Sequence, residues 1–135
     1  MNKLFGKITA IESTEHMSLV DIDVDGDIFS SVVLETSTTT DHLTAGRRVI
    51  LLFKETEVSI AKDLSGEISL RNRFKAVIEN IERSQILSKV ILDYQGKKIV
   101  SVISTRSTDR MGLKEGSVVE WLVKTNEVMI LKNGE

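Results

Sequence analysis

The chain has 135 residues, of which 41% are apolar and 28% charged, and a net charge of −2. That length suits one ordinary domain or two very small ones, and the composition is that of a folding chain rather than a disordered one. The absence of Cys excludes disulfides, thiolate nucleophiles and sulfur-ligated metals, while 4% aromatics and the slight acidity disfavour a base-stacking platform and nucleic acid. There is no apolar run of about eighteen residues to span a membrane. The opening MNKLFGKITA lacks the apolar core of a secretory signal, so a cytoplasmic location is expected.

Sliding the chain on itself by seventy positions gives a gap-free match over residues 2–62, with about 21 identical pairs. Composition alone would give about four. The pairs include Ile8/Ile78, Val20/Val90, Gly26/Gly96, Ser31/Ser101, Ser37/Ser107, Gly46/Gly116, Lys54/Lys124 and Val58/Val128. Two duplicated units are therefore expected, at residues 1–63 and 69–135, with a spacer around Leu64 to Ile68. A unit of this size buries only about 60% of its unfolded surface, so each needs cover from the other or from further chains.

In chain order, the first unit alternates Val20, Ile22 and Val24 with Asp21, Asp23 and Asp25, which predicts a strand with an acidic outer face. The acidic run superficially resembles a calcium loop, but Val32 stands where the closing Glu should be. Thr36 to Thr40 reads as a solvated helix start. In the second unit, strands are predicted at Ala76 to Ile81, Lys89 to Tyr94, Ile99 to Ile103, Val118 to Val123 and Val128 to Leu131. A hairpin turn lies at Gln95-Gly96-Lys97, where Gly tolerates positive φ. Thr105 to Gly112 predicts one or two helical turns, with hydroxyl caps in front and Gly112 as the stop. Five short strands and one short helix per unit predict an all-β chain of tandem, small OB-like barrels.

Ser69-Leu70-Arg71-Asn72 resembles the S-x-R-N opening of the molbindin, or TOBE, domains. Val102-Ile103-Ser104-Thr105-Arg106-Ser107 with Met111-Gly112-Leu113-Lys114-Glu115-Gly116 is similar to their V-I-T-x-x-S…L-G-L-x-x-G stretch. Lys124-Thr125-Asn126-Glu127-Val128 resembles their closing K-[AST]-[ST]-x-V. The ordered set covers the second unit, and the repeat extends it over nearly the whole chain. The resemblance implies binding of molybdate or tungstate without catalysis, in storage or homeostasis. It also implies a homo-oligomer, with a trimer favoured, and neither nucleic acid nor membrane as partner.

By motif, the resemblance carries oxyanion-ligand roles onto Ser69, Arg71, Ser104, Ser107, Lys124 and Thr125. Lys124 would be the point charge, Ser69 and Thr125 would give hydroxyl or main-chain donors, and Arg71 would donate through backbone or guanidinium. Such donors suit a dianion without any metal or other cofactor. Each has a plainer reading beside it. Hydroxyls before a helix serve as caps, a lysine before a turn is a solvated charge, and Arg71-Asn72-Arg73 is a basic linker end.

The first unit departs from the pattern. Met1 stands opposite Arg71 and nothing precedes Asn2 to match Ser69; Leu34 replaces Ser104 and Glu55 replaces Thr125. Only Ser37 and Lys54 survive there, as weaker candidates, so the second unit is expected to carry the complete ligand set. Residues 2–63 hold six basic against eleven acidic side chains, and residues 70–135 hold twelve against eight. The unit with intact motifs is the cationic one, an imbalance that also fits an acidic face meeting a basic face across an interface. His16 and His42 have no partner at metal-ligand spacing, and no general acid–base pair stands out, so no enzyme is expected. The alternative to oxyanion binding is a ligand-free protein-interaction or assembly module on the same fold.

Overall fold

A computed structural model describes residues 1–134. The first repeat forms β1 (Asn2–Ser13), β2 (Ser18–Val24), β3 (Asp27–Val33), β4 (Arg48–Phe53) and β5 (Ser59–Ala61). The second forms β6 (Asn72–Arg83), β7 (Leu87–Tyr94), β8 (Lys97–Ser104), β9 (Val118–Val123) and β10 (Met129–Lys132). All five strands expected in the second unit are present. β2 buries Ser18, Val20, Ile22 and Val24 and turns Leu19, Asp21 and Asp23 outward, as the alternation requires.

The repeat persists in backbone detail. Register shifts fall between Ile8 and Ala10 in β1 and between Ile78 and Asn80 in β6, the same bulge in both copies. Both hairpins turn on two positive-φ residues, Asp25-Gly26 at 49° and 99° and Gln95-Gly96 at 51° and 80°. That pairing belongs to a type I′ turn, whose twist matches the flanking strands.

The strands assort into two five-stranded sheets, β10-β4-β1-β2-β3 and β5-β9-β6-β7-β8. Each sheet thus takes its last strand from the other repeat. β10 pairs with β4 through Met129↔Leu52 and Leu131↔Ile50, and β5 pairs with β9 through Ser59↔Leu122 and Ala61↔Glu120. The compact units are Met1 with Lys3–Phe53 and Lys124–Glu135, and Asn2 with Lys54–Val123. They depart from the contiguous division at 1–63 and 69–135, because each repeat lends its tail, from Lys54 or Lys124 onward, to the other's sheet.

In each unit the two edge strands also touch, β10 with β3 and β5 with β8, so the sheet curls into a partly open barrel. A hydroxyl bridges the gap where no ladder forms. Ser31 Oγ donates to the Val128 carbonyl and Ser101 Oγ to the Val58 carbonyl, both at 2.6 Å, and both serines are fully buried. In the Lys54–Val123 unit, the buried Asn2 amide makes a two-way bond with Val100 of β8, at 2.8 Å and 2.7 Å. The core of the first unit centres on Leu4, Ile8, Ile22, Phe29, Leu51 and Phe53. The second packs Phe74, Tyr94 and Trp121 with ring centroids 5.2 to 5.8 Å apart. Gly6 is needed in β1, because a Cβ there would stand 2.5 Å from Ile22 Cγ2 and 2.8 Å from the Asp23 carbonyl.

The expectation of one short α-helix per unit holds only for the second repeat, where α1 spans Thr105–Arg110. At residues 37–39 the first repeat has a hydrogen-bonded turn, closed on the Thr36 carbonyl, instead of the helix start expected at Thr36 to Thr40. The reason lies at the cap. Ser104 Oγ accepts from the Ser107 N–H, whereas Leu34 has no acceptor and is 79% exposed. The threonine hydroxyls then close the turn locally: Thr39 Oγ1 accepts from the Thr36 N–H at 2.8 Å, and Thr36 Oγ1 meets Thr38 Oγ1 at 2.7 Å.

Candidate functional site

Ser104 ends β8 in extended conformation and caps α1. Its Oγ accepts from the Ser107 N–H at 3.1 Å and donates to Ser107 Oγ at 2.9 Å. The Ser104 hydroxyl proton is therefore spent within the chain, and the exposed Ser107 hydroxyl is the one that can donate outward. α1 is held from both ends. Thr105, at its start, bonds Ser88 Oγ at 2.8 Å and the Ser84 carbonyl at 2.7 Å. In its last turn Asp109 pairs with Arg83, and just beyond its end Lys62 Nζ donates to the Met111 carbonyl at 3.0 Å.

Beside Ser104 is a surface depression of about 350 Å³ lined by Gln85, Ile86, Ser104 and Arg106. It has an amide, a guanidinium and a hydroxyl against one apolar wall, and no carboxylate among its lining residues. Gln85 lies outside every motif and Arg106 fills an unspecified position of one, so neither was singled out from the sequence. Gln85 lies in the β6–β7 turn, and only the fold brings that turn beside the start of α1.

Ser69 and Arg71 belong to the same compact unit, both exposed in the stretch that leads into β6 at Asn72. Two residues on, Arg73 grips Glu120 of β9 with two bonds of 2.7 and 3.1 Å and reaches the Leu64 carbonyl at 3.2 Å. The hydrogen bond to the Glu120 carboxylate raises the Arg73 pKa above its ordinary value, and the guanidinium ties the spacer to β9 through Leu64.

Lys124 and Thr125 fall in the other unit, apart from Ser104 and Ser107, because the exchange carries them over with β10. Lys124 is extended, at φ −69° and ψ 144°, and opens a one-turn 3-10 helix at Thr125–Glu127 that packs on β3. Lys54 has the same backbone, at φ −71° and ψ 145°, and opens the matching turn at Glu55–Glu57 on β8. Lys54 therefore shares a unit with Ser104 and Ser107, and Ser37 shares one with Lys124 and Thr125. The complete ligand set expected within the barrel of the second repeat is split between the two units: one combines Ser69, Arg71, Ser104, Ser107 and Lys54 with Glu55, the other Ser37 with Lys124 and Thr125.

Among the described residues, no group of three or more His, Cys, Asp or Glu side chains could hold a metal ion. Among the same residues, no helix is long and apolar enough to cross a membrane.

The TOBE domain family model matches residues 1–60 and again 68–130. Molybdenum-pterin-binding protein 1 of Clostridium pasteurianum is 37% identical over 65 residues, covering 47% of this chain and 96% of that protein. The molybdenum transport protein ModE of Herbaspirillum seropedicae is 27% identical over 135 aligned residues, covering 96% of this chain and 49% of ModE. Among solved structures, the cytoplasmic molybdate-binding protein ModG, with molybdate bound, matches at a TM-score of 0.92 and 28% identity. That match covers 98% of this chain and 96% of ModG.

Proposed function

The chain belongs to the TOBE domain family, and on that premise we propose that it binds molybdate, a tetrahedral oxyanion, without catalytic turnover. The observation that carries this reading is the near-complete match to ModG through both repeats. Binding serves storage or homeostasis in the cytoplasm. The working form is a homo-oligomer, a trimer in the first instance, with neither nucleic acid nor membrane as partner.

A dianion with four oxygens needs several convergent donors and few carboxylates. The Ser104–Ser107 pair meets that need through a relay: the Ser107 N–H polarises the Ser104 hydroxyl, which polarises the Ser107 hydroxyl, leaving one strengthened donor for the ion. Arg106 and Gln85 supply a cation and an amide beside them. In the other unit, Lys124 offers a point charge and Thr125 a hydroxyl or main-chain donor, with Ser37 in the same unit. Ser69 and Arg71 add donors ahead of β6, and Ser37 and Lys54 are secondary. Tungstate has the same charge and shape as molybdate and uses the same ligands.

Calorimetric titration of the full chain with molybdate, tungstate and sulfate tests the reading. Saturable binding of molybdate and tungstate is expected, with sulfate much weaker. Absence of binding heat for all three, at temperatures spaced to avoid an accidental zero enthalpy, would overturn it.

A further inference from the structure

A glycine N–H can close a five-membered ring on the side-chain carbonyl of an Asn or Asp that precedes it. Two places in the chain offer that pair, Asp25-Gly26 and Asn133-Gly134. They differ in how the backbone holds them. Asp25 and Gly26 are the centre of the type I′ turn between β2 and β3, at φ 49° and 99°. The Gly26 N–H, which would have to attack, donates to Asp23 Oδ1 at 3.2 Å. A carboxylate also resists attack by nitrogen where an amide yields. Asn133 and Gly134 instead follow β10, whose last rung is Lys132↔Val49, and stand outside the ladder. Gly134 has a φ of 84°, and a Cβ there would meet nothing within 4 Å. Backbone and side chain at this pair therefore have room to turn into the attacking geometry.

The other asparagines are held. Asn2 and Asn72 are buried at the starts of β1 and β6, and the Asn2 amide is bonded both ways to Val100. Asn80 lies within β6, followed by a β-branched residue that is fixed in the ladder at Ile81↔Val90. Asn126 sits in the one-turn 3-10 helix, where the Glu127 N–H is spent on the Lys124 carbonyl at 2.9 Å.

We infer that Asn133 is a site of spontaneous covalent modification, losing its side-chain amide through a cyclic imide formed with Gly134. The Gly134 nitrogen gives up its proton and bonds to Asn133 Cγ, the Cγ–Nδ2 bond breaks, and ammonia leaves. Water then opens the ring. Cleavage between the nitrogen and Cγ gives aspartate. Cleavage between the nitrogen and the backbone carbonyl carbon gives isoaspartate, with the chain running on through Cγ.

The aspartate product matches the first repeat, where Asp63 stands at the equivalent place. Either product sets a new carboxylate next to Lys132, whose Nζ is 3.7 Å from Asp41 Oδ2. Two acids then compete for one ammonium at the end of the tail that closes the first sheet.

Incubation of the full chain in warm buffers of rising pH tests this, with cleavage after Glu127 and mass analysis of residues 128–135. Acid forms of this peptide should appear roughly tenfold or more faster than at Asn80 or Asn126, because the ring closes most readily where the next residue lacks a Cβ. Two products of equal mass, separable by chromatography, should mark aspartate and isoaspartate, and both should form faster as pH rises. Gly134→Val should slow the reaction by a similar factor, and Asn133→Gln should leave the peptide unconverted. An Asn133 amide that outlasts those of Asn80 and Asn126 would overturn the inference. So would a single acid product formed at the same rate in Gly134→Val, since direct hydrolysis needs no ring. Oxyanion binding has no part in this readout, so either proposal can fail without the other.

Discussion

Residues 34–42 and 104–112 occupy the same place in the two repeats, yet one forms a turn closed by threonine hydroxyls and the other a capped helix. A single exchange, Leu34 for Ser104, removes the side-chain acceptor that opens the helix. The sheets around both segments keep the same strands, bulges and hairpins. A duplicated barrel therefore tolerates loss of its short helix, because its stability resides in the buried strands and the helix serves the surface. The two repeats also trade their tails, so an intact motif in one repeat does not assemble within one compact unit.

The sharpest way to break this comparison is to copy Glu55 into its partner position. Thr125→Glu should lower oxyanion affinity on the order of 100-fold or more, since a like charge at about 4 Å costs roughly 4 kcal/mol at an effective dielectric of 20. Glu55 shares its compact unit with Ser69, Arg71, Ser104 and Ser107, so Glu55→Thr should raise affinity there by lifting a like charge. Calorimetric affinity and stoichiometry for both variants decide it; a Thr125→Glu chain that binds as before would remove Thr125 from the site.

Lys124→Ala should weaken binding by more than tenfold with the melting temperature unchanged, as expected for loss of a charge-assisted contact of about 1.5–3 kcal/mol. Lys54→Ala should lose less, because Glu55 follows it and already offsets its charge. Equal losses in the two variants would show that the repeats contribute alike.

Ser101→Ala and Ser31→Ala ask where the repeats are equivalent. Each removes a buried hydroxyl bonded at 2.6 Å to the borrowed tail, at Val58 or Val128. Each should lower unfolding stability by about 1–3 kcal/mol through the unsatisfied carbonyl. Denaturant midpoints should fall by similar amounts; a silent variant would mean that water replaces the hydroxyl.

Ser104→Leu, which copies the first repeat's residue, should weaken oxyanion binding by breaking the Ser104–Ser107 relay, but should have the smallest effect on the fold. Loss of the cap should cost about 1 kcal/mol and fray the first turn of α1, visible as faster amide exchange at Ser107. Leu34→Ser should not create a helix in the first repeat, because Thr36, Thr38 and Thr39 already satisfy the turn.

The strands were legible in the sequence because alternation such as Val20-Asp21-Ile22-Asp23-Val24 carries the burial pattern directly. The hairpins at Gly26 and Gly96 were legible because positive φ favours glycine. The duplication was legible as well, whereas the equivalent bulges in β1 and β6 emerge only from the ladders. Within the candidate site, the Ser104–Ser107 contact follows from local cap spacing. Gln85 and Arg106 were hidden, since their proximity depends on how the β6–β7 turn sits against α1.

The sequence by itself determined two sets of strands, their inward faces and which repeat lost donors, because these are local properties with periods of a few residues. Only the tertiary structure decided that β5 completes the second sheet and β10 the first. The equivalent tails, Lys54…Val58 and Lys124…Val128, share their Lys, Glu and Val positions and the same backbone, so local pattern cannot choose between the sheet edges. The choice is made by long-range ladders and by the Ser31 and Ser101 bridges, which exist only once both sheets have formed.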